Sequence, residues 1–270
     1  MVAGPNAALT AAIGRDSART PARARALLGD GVLAWALGDH VAGRTRLEES
    51  VEISRALDDR QTAAHALDFL GMVLLTLGDA AGARVRSEES VALARTAGDD
   101  FALTLALASC GVLLLALDEH DRSRVLLEES VARGREAGDR WIVALPLRNL
   151  AIIALRRQDY AAARSLLEES LRGLRDLGER WFLSRSIETL GEVMAFQGEH
   201  QRAARLLGAS QTLRDAVGAP VIAFYRTDYD RAIEATRAIL GHEGLERAWA
   251  EGRRLTPEEA VSYALGEWDW

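Results

Sequence analysis

The sequence predicts an all-α fold: a right-handed solenoid of about five helix–turn–helix units of 40 residues, closed by a helical cap. Three observations predict it. Leu47-Glu48-Glu49-Ser50 returns as Ser87-Glu88-Glu89-Ser90, Leu127-Glu128-Glu129-Ser130 and Leu167-Glu168-Glu169-Ser170, each 40 residues on and without insertion. A degenerate fifth copy, Leu207-Gly208-Ala209-Ser210, stands where that period places it. Between the copies, apolar residues recur at helical spacing and are cut by turn signals at each half-period.

Residues 1–20 read as a partial repeat or cap helix, beginning after the turn-forming Gly4-Pro5-Asn6. Thr20 caps the first full helix and Pro21 occupies its first position, where a missing N–H costs nothing. First helices then cover 21–37, 61–77, 101–117, 141–157 and 181–197. Second helices cover 41–57, 81–97, 121–137, 161–177 and 201–217. The turns between them carry Gly38-Asp39, Gly78-Asp79, Asp118-Glu119, Gln158-Asp159 and Gly198-Glu199, where glycine can take the left-handed conformation and the acid can sit near the next N-terminus. Gly98, Gly138, Gly178 and Gly218 close four second helices. Pro146, past the first turn of its helix, is expected to kink or delay it. The five repeats thus occupy 21–220 and a helical C-terminal cap 221–270. Within the cap, one helix ends at Gly241, a second covers 243–253, and Thr256-Pro257-Glu258-Glu259 opens a short third with a capping box.

Small residues are in register across the units. Gly31, Gly71, Gly111, Ala151 and Gly191 form one column, and Gly43, Ala83, Ser123, Ala163 and Ala203 a second, twelve residues on. Ser50, Ser90, Ser130, Ser170 and Ser210 form a third, and Leu67, Leu107, Leu147 and Ile187 precede the first by four. Small side chains in such columns let two helices approach closely while leucines fill the remaining space. This spacing resembles the tetratricopeptide pattern, with the usual unit lengthened to 40 residues. Four phrases, Leu127-Glu128-Glu129-Ser130, Leu147-Arg148-Asn149-Leu150-Ala151, Arg202-Ala203-Ala204-Arg205-Leu206-Leu207-Gly208-Ala209 and Leu255-Thr256-Pro257-Glu258-Glu259-Ala260, resemble the repeat region of bacterial signal-transduction ATPases and LuxR-type transcriptional regulators.

Composition removes several function classes. The formal charge of −7 argues against direct nucleic-acid binding, which needs a basic face. All 33 basic residues are arginine, which excludes a phosphate loop, a Schiff-base lysine and a pyridoxal site. The single cysteine, Cys110, fits a reducing cytoplasm, and no apolar run approaches the roughly 18 residues of a membrane helix. The chain is expected to be a cytoplasmic protein without enzyme activity, cofactor or metal.

Candidate sites are weighed on this frame. The paired glutamates lie four residues after arginines (Arg44–Glu48, Arg84–Glu88, Arg124–Glu128, Arg164–Glu168) and read as a solvated, salt-laced face. His40, His120 and His200 share a repeat position but belong to alternate units, too far apart for one metal ion. Cys110, beside Gly111 in the inter-helix column, reads as a buried small apolar residue.

The first helices line the concave face of such a solenoid. Their inward positions are apolar early, at Phe69 and Met72 with Trp35 before them, and mostly polar later, at Arg148, Asn149, Arg156, Arg185 and Glu188 with the apolar Ile152 among them. Arg148, Asn149 and Arg185 are similar to the carboxylate clamp of chaperone-binding tetratricopeptide domains, although only Asn149 and Arg185 fall on clamp positions and Ala108, Val112 and Thr189 occupy the others. The expected function is a protein- or peptide-binding, ligand-sensing module of a bacterial signalling regulator. The expected ligand is a peptide with a hydrophobic segment and an acidic residue or free C-terminus. A freestanding peptide receptor or assembly scaffold is the alternative.

Overall fold

The computed structural model describes residues 18–218 and 223–268. The expected N-terminal helix up to Ser17 and the expected repeat–cap boundary at Pro220 lie outside those residues. Among the described residues there are twelve helices and no strand. Ten form the repeats: α1 (Pro21–Ala36), α2 (His40–Ala56), α3 (Arg60–Thr76), α4 (Ala80–Ala97), α5 (Asp100–Ala116), α6 (His120–Glu136), α7 (Arg140–Arg156), α8 (Tyr160–Leu174), α9 (Arg180–Phe196) and α10 (His200–Ala216). Two follow, α11 (Ala223–Gly252) and α12 (Pro257–Ala264). Gly241, at φ 68° and ψ 174°, breaks α11 into two arms. The chain falls into two compact units, Met1–Arg133 and Gly134–Trp270.

The helices begin where side chains can satisfy their free amides. Thr20 accepts from the Arg23 amide, with Pro21 in the first turn. Asp39, Asp59, Asp79, Asp99, Asp139 and Asp159 each cap the helix that follows. Thr256 and Glu259 form the reciprocal capping box at α12, at 2.8 and 3.2 Å. Left-handed backbone at the turns falls on glycine in most cases, as at Gly98 (φ 72°), but Asp118 (φ 59°) and Gln158 (φ 62°) adopt it too. α7 starts on time and runs through Pro146 to Arg156, so the proline does not delay it.

Packing follows the predicted columns. In unit one, a Cβ on Gly31 or Gly111 would meet the side chain of Leu47 or Leu127 at 2.7 Å, and one on Gly71 would meet the Ala83 carbonyl at 3.2 Å. In unit two, a Cβ on Gly191 would meet Leu207 at 3.0 Å. The serine column does more than stay small. Ser50, Ser90, Ser130 and Ser170 donate to the carbonyls of Ala24, Ala64, Thr104 and Ala144, 26 residues back, at 2.7, 2.8, 2.9 and 3.2 Å. Each bond ties a second helix to the first helix of its own repeat. Ser210 breaks the series and donates to Leu207 in its own helix.

The glutamate pairs form the expected charged face, with partners the spacing alone did not give. Arg44, Arg124 and Arg164 pair with the glutamate four residues on, whereas Arg84 turns to Glu119. The second glutamate is met from the preceding repeat in three of the four pairs: Arg55 reaches Glu89, Arg95 reaches Glu129 at 2.7 Å, and Arg135 holds Glu169 through both oxygens at 2.7 Å, while Glu49 is met by Arg23 of its own repeat at 2.7 Å. These pairs are solvated and each contributes at most about 1 kcal/mol.

The fifth copy loses its glutamates because its face is covered. The second arm of α11 lies against α10 there, so close that a Cβ on Gly208 would meet the Trp249 carbonyl oxygen at 2.2 Å. Opposite it, a Cβ on Gly252 would meet the Arg205 carbonyl oxygen at 1.9 Å. Leu245 and Ala248 bury themselves on Ala204, and Trp249 Nε1 donates to Gln211 Oε1 at 2.7 Å. Glycine at position 208, where earlier copies hold glutamate, lets this arm seat.

Candidate functional site

The inner-face columns differ between the two units. In unit one, Trp35, Phe69, Met72, Leu105 and Val112 are all half-buried, with the Trp35 and Phe69 rings tilted at 6.2 Å. Two polar side chains share this face. His65 Nε2 and Asp68 Oδ1 are shielded from solvent and lack a hydrogen-bond partner. Burial pushes the Asp68 carboxyl up to about 7, opposed by a hydrogen bond with Ser109. Phe69 and Met72 form a half-buried apolar strip with an incompletely satisfied polar pair beside it.

In unit two the same columns are not open. Arg148 is 4%, Asn149 0%, Ile152 2%, Arg185 1% and Glu188 0% exposed, and Arg156 is half-buried. The expectation that these positions face solvent fails, because the first arm of α11 lies across α7 and α9. Tyr225 is its centre. Its hydroxyl donates to Asn149 Oδ1 at 2.9 Å, while the guanidinium groups of Arg148 and Arg185 stand 4.3 and 4.8 Å from its ring centroid. Asp228 receives Arg156 Nε at 3.0 Å, and Phe224 packs under the same guanidinium at 4.9 Å. One turn on, the Tyr229 ring faces Arg214 at 5.5 Å.

Beneath the arm runs a buried polar network. Arg148 Nε donates to the Arg185 carbonyl and to Thr189 Oγ1, at 3.1 and 3.2 Å. Glu188 accepts from Arg185 at 2.9 Å through one oxygen and from Arg214 through the other. Asn149 Nδ2 donates to the Leu145 carbonyl at 2.8 Å, which leaves its Oδ1 for Tyr225. The network is not fully satisfied: Arg185 Nε and Nη2 and Glu192 Oε1 are buried without partners. Burial, and then repulsion from Arg148, lowers the Arg185 pKa to about 10. Burial, with Glu188 alongside, holds the Glu192 carboxyl well above its ordinary range. The sequence predicts the helix that ends at Gly241 but not that it covers these positions. The signal for that cover was present, since Tyr225, Asp228, Tyr229, Ala232 and Thr236 make one stripe at helical spacing.

The other sequence candidates fall as follows. His40, His120 and His200 are the first residues of α2, α6 and α10. No cluster of His, Cys, Asp and Glu able to hold a metal occurs among the described residues. Cys110 is fully buried against Leu107 and Leu114, and burial pushes its thiol up to about 11. No helix among the described residues is long and apolar enough to cross a membrane.

Helix pairs joined by a small-residue seam and repeated at a fixed period define an α-helical repeat scaffold, a class that works by presenting a surface to other proteins. The chain is a tetratricopeptide-repeat protein. Tetratricopeptide-repeat family models match residues 102–176, 143–216 and 64–89, together just over half of its length. A model of anaphase-promoting complex subunit 5 matches residues 19–74. Proteins of Mycobacterium tuberculosis and Mycobacterium bovis that carry the name HTH-type transcriptional regulator are 37% identical over 67 residues, which is 25% of this chain and 8% of theirs. The crystal structure of BtubC (BKLC) from P. vanneervenii is similar in fold, with a TM-score of 0.64 at 16% identity over 80% of this chain and 92% of that one. Tetratricopeptide repeats are protein-interaction modules, and none of the matched families is an enzyme family.

Proposed function

We propose that this chain is the partner-binding repeat region of a bacterial transcriptional regulator, and that unit one takes a peptide segment on the strip formed by Trp35, Phe69 and Met72. The observation that carries the reading is the pairing of that half-buried apolar strip with His65 Nε2 and Asp68 Oδ1, which lack partners beside it. Large apolar side chains supply most of the binding energy at such surfaces, and polar groups left unsatisfied in the free protein fix the register of what binds. The ligand this favours carries a bulky apolar side chain next to a hydrogen-bonding group such as a backbone amide. The regulator assignment rests on the 67-residue likeness to the mycobacterial proteins and on the four phrases that resemble the repeat region of such regulators.

A random-peptide display selection on the full chain, followed by calorimetry on a selected peptide, tests the site. Phe69→Ala with Met72→Ala is expected to weaken binding roughly 30-fold, about 2 kcal/mol, with the circular dichroism spectrum unchanged. Equal affinity for the variant and the parent would place binding off this strip.

A further inference from the structure

The contact between the first arm of α11 and unit two differs in kind from the rest of that unit. The repeat core is apolar, built on Leu167, Leu171, Ile187, Leu190 and Val193. The second arm is seated by a glycine crossing and by Leu245 and Ala248. Under the first arm, by contrast, lie Arg148, Asn149, Arg185, Glu188, Glu192 and Arg214, all buried. Permanent interfaces are apolar, like a core cut in half, whereas exchangeable ones keep a polar surface that water can cover again. Two further facts make the seated arm a marginal state. Arg185 Nε and Nη2 and Glu192 Oε1 lose water on burial and gain no partner. The compensation comes from the polar and ring contacts of the arm: Tyr225 on two guanidinium groups, its hydroxyl on Asn149, Asp228 and Phe224 on Arg156, and Tyr229 on Arg214.

We infer that this polar groove is a second binding site, held in cis by the first arm of α11, and that its exchanging occupant is a partner protein's helix bearing an aromatic–x–x–acid–aromatic stripe. The arm itself defines the chemistry. Tyr225, Asp228 and Tyr229 lie at i, i+3 and i+4, so one helical face carries an aromatic ring for the Arg148–Arg185 pair, a carboxylate for Arg156 and a second ring for Arg214. Ala232 and Thr236, both fully buried, continue the same face and set the length of helix the groove reads. An incoming helix must offer the same set, since anything less leaves buried charge unpaired. The inference does not depend on unit one, which reads an apolar strip through different residues.

The test uses the full chain and a fluorescein-labelled synthetic peptide with the sequence of residues 223–240, followed by fluorescence polarisation. In the parent chain the resident arm competes, so binding is weak. In a Tyr225→Ala, Asp228→Ala chain the competitor is weakened, and the same peptide is expected to bind at least about tenfold more tightly. Adding Arg148→Ala to that chain should abolish the gain. A peptide carrying the Tyr and Asp substitutions should bind neither chain. Equal binding to the parent and double-variant chains, or binding indifferent to Arg148→Ala, overturns the proposal. Should the double variant not fold, hydrogen exchange on the parent decides. Amides of 224–240 are expected to exchange at least about 100-fold faster than those of 183–195, by local opening, and equal protection overturns the proposal. A dimer of the parent chain that excess peptide dissolves would make the occupant a second copy and overturn the assignment to a partner.

Discussion

Replacing Gly208 with alanine adds one methyl group where α10 and the second arm of α11 cross. That methyl carbon would lie 2.2 Å from the Trp249 carbonyl oxygen, and side-chain carbons essentially never approach closer than 3.0 Å. The obstacle is backbone, so no rotamer change relieves it and the arm must move outward. It is anchored against that movement by the Trp249–Gln211 hydrogen bond, by Arg205–Glu251 at 2.9 Å and by Leu245 and Ala248 on Ala204. Overpacking of this kind costs about 1–3 kcal/mol, with a backbone clash at the upper end, while alanine in a helix gains back about 1 kcal/mol over glycine. The net expectation is a loss of about 2 kcal/mol, or a fall of about 4–8 °C in the melting temperature. Gly29→Ala is the control, because a methyl group there meets nothing within 4 Å and only the gain in helix propensity, about 0.5–1 kcal/mol, remains. Thermal unfolding followed by circular dichroism compares the three proteins. A Gly208→Ala chain as stable as its parent would refute the close crossing and, with it, the explanation of the degenerate fifth repeat.

Three further outcomes are expected. Gln158→Gly relieves a left-handed backbone at an exposed turn and should stabilise the protein by about 1 kcal/mol in urea unfolding. Asp68→Asn should raise stability at pH 8 by 1 kcal/mol or so and change it little at pH 4. The carboxyl's folded pKa is raised to about 7, so the contribution of the acid is fully present below its ordinary value and is lost as the pH rises through 7. Tyr225→Phe leaves Asn149 Oδ1 buried without its donor and should cost roughly 1–3 kcal/mol by denaturation, with the apolar packing of the ring unchanged.

The helices were legible because their signals are local. Every repeat helix except α1 begins one residue earlier than the periodicity suggests; all but α4 also end early, most by one residue and α8 by three, at Leu174. Thr20, Pro21, Gly241 and the Thr256–Glu259 box mark boundaries within a few residues of one another in the chain, so no tertiary knowledge was needed. The small columns were legible for the same reason, since a fixed period converts sequence register directly into spatial register. What was not legible depends on contacts between positions of different kinds. The column of serines showed its size and hid its bond to a carbonyl 26 residues earlier. The paired glutamates showed their intrahelical arginines and hid the arginine 34 residues back. Repeat register lines up Arg148, Asn149 and Arg185, but their cover comes from α11, outside the repeat period, where register no longer predicts contact. Arg148, Asn149, Arg156, Arg185 and Glu188 on the inner face of α7 and α9, set against one aromatic and acidic stripe in α11, were the available hint.

The central claim is that the first-helix face of the repeats, and not the salt-laced second-helix face, receives the partner. Hydrogen-exchange footprinting of the full chain with and without a display-selected peptide measures this directly. The account predicts slowed exchange in α1, α3 and α5, around Trp35, Phe69, Met72 and Ser109, with α2, α4 and α6 unchanged. Protection confined to α2, α4 and α6, along the Glu48, Glu88 and Glu128 row, would contradict it.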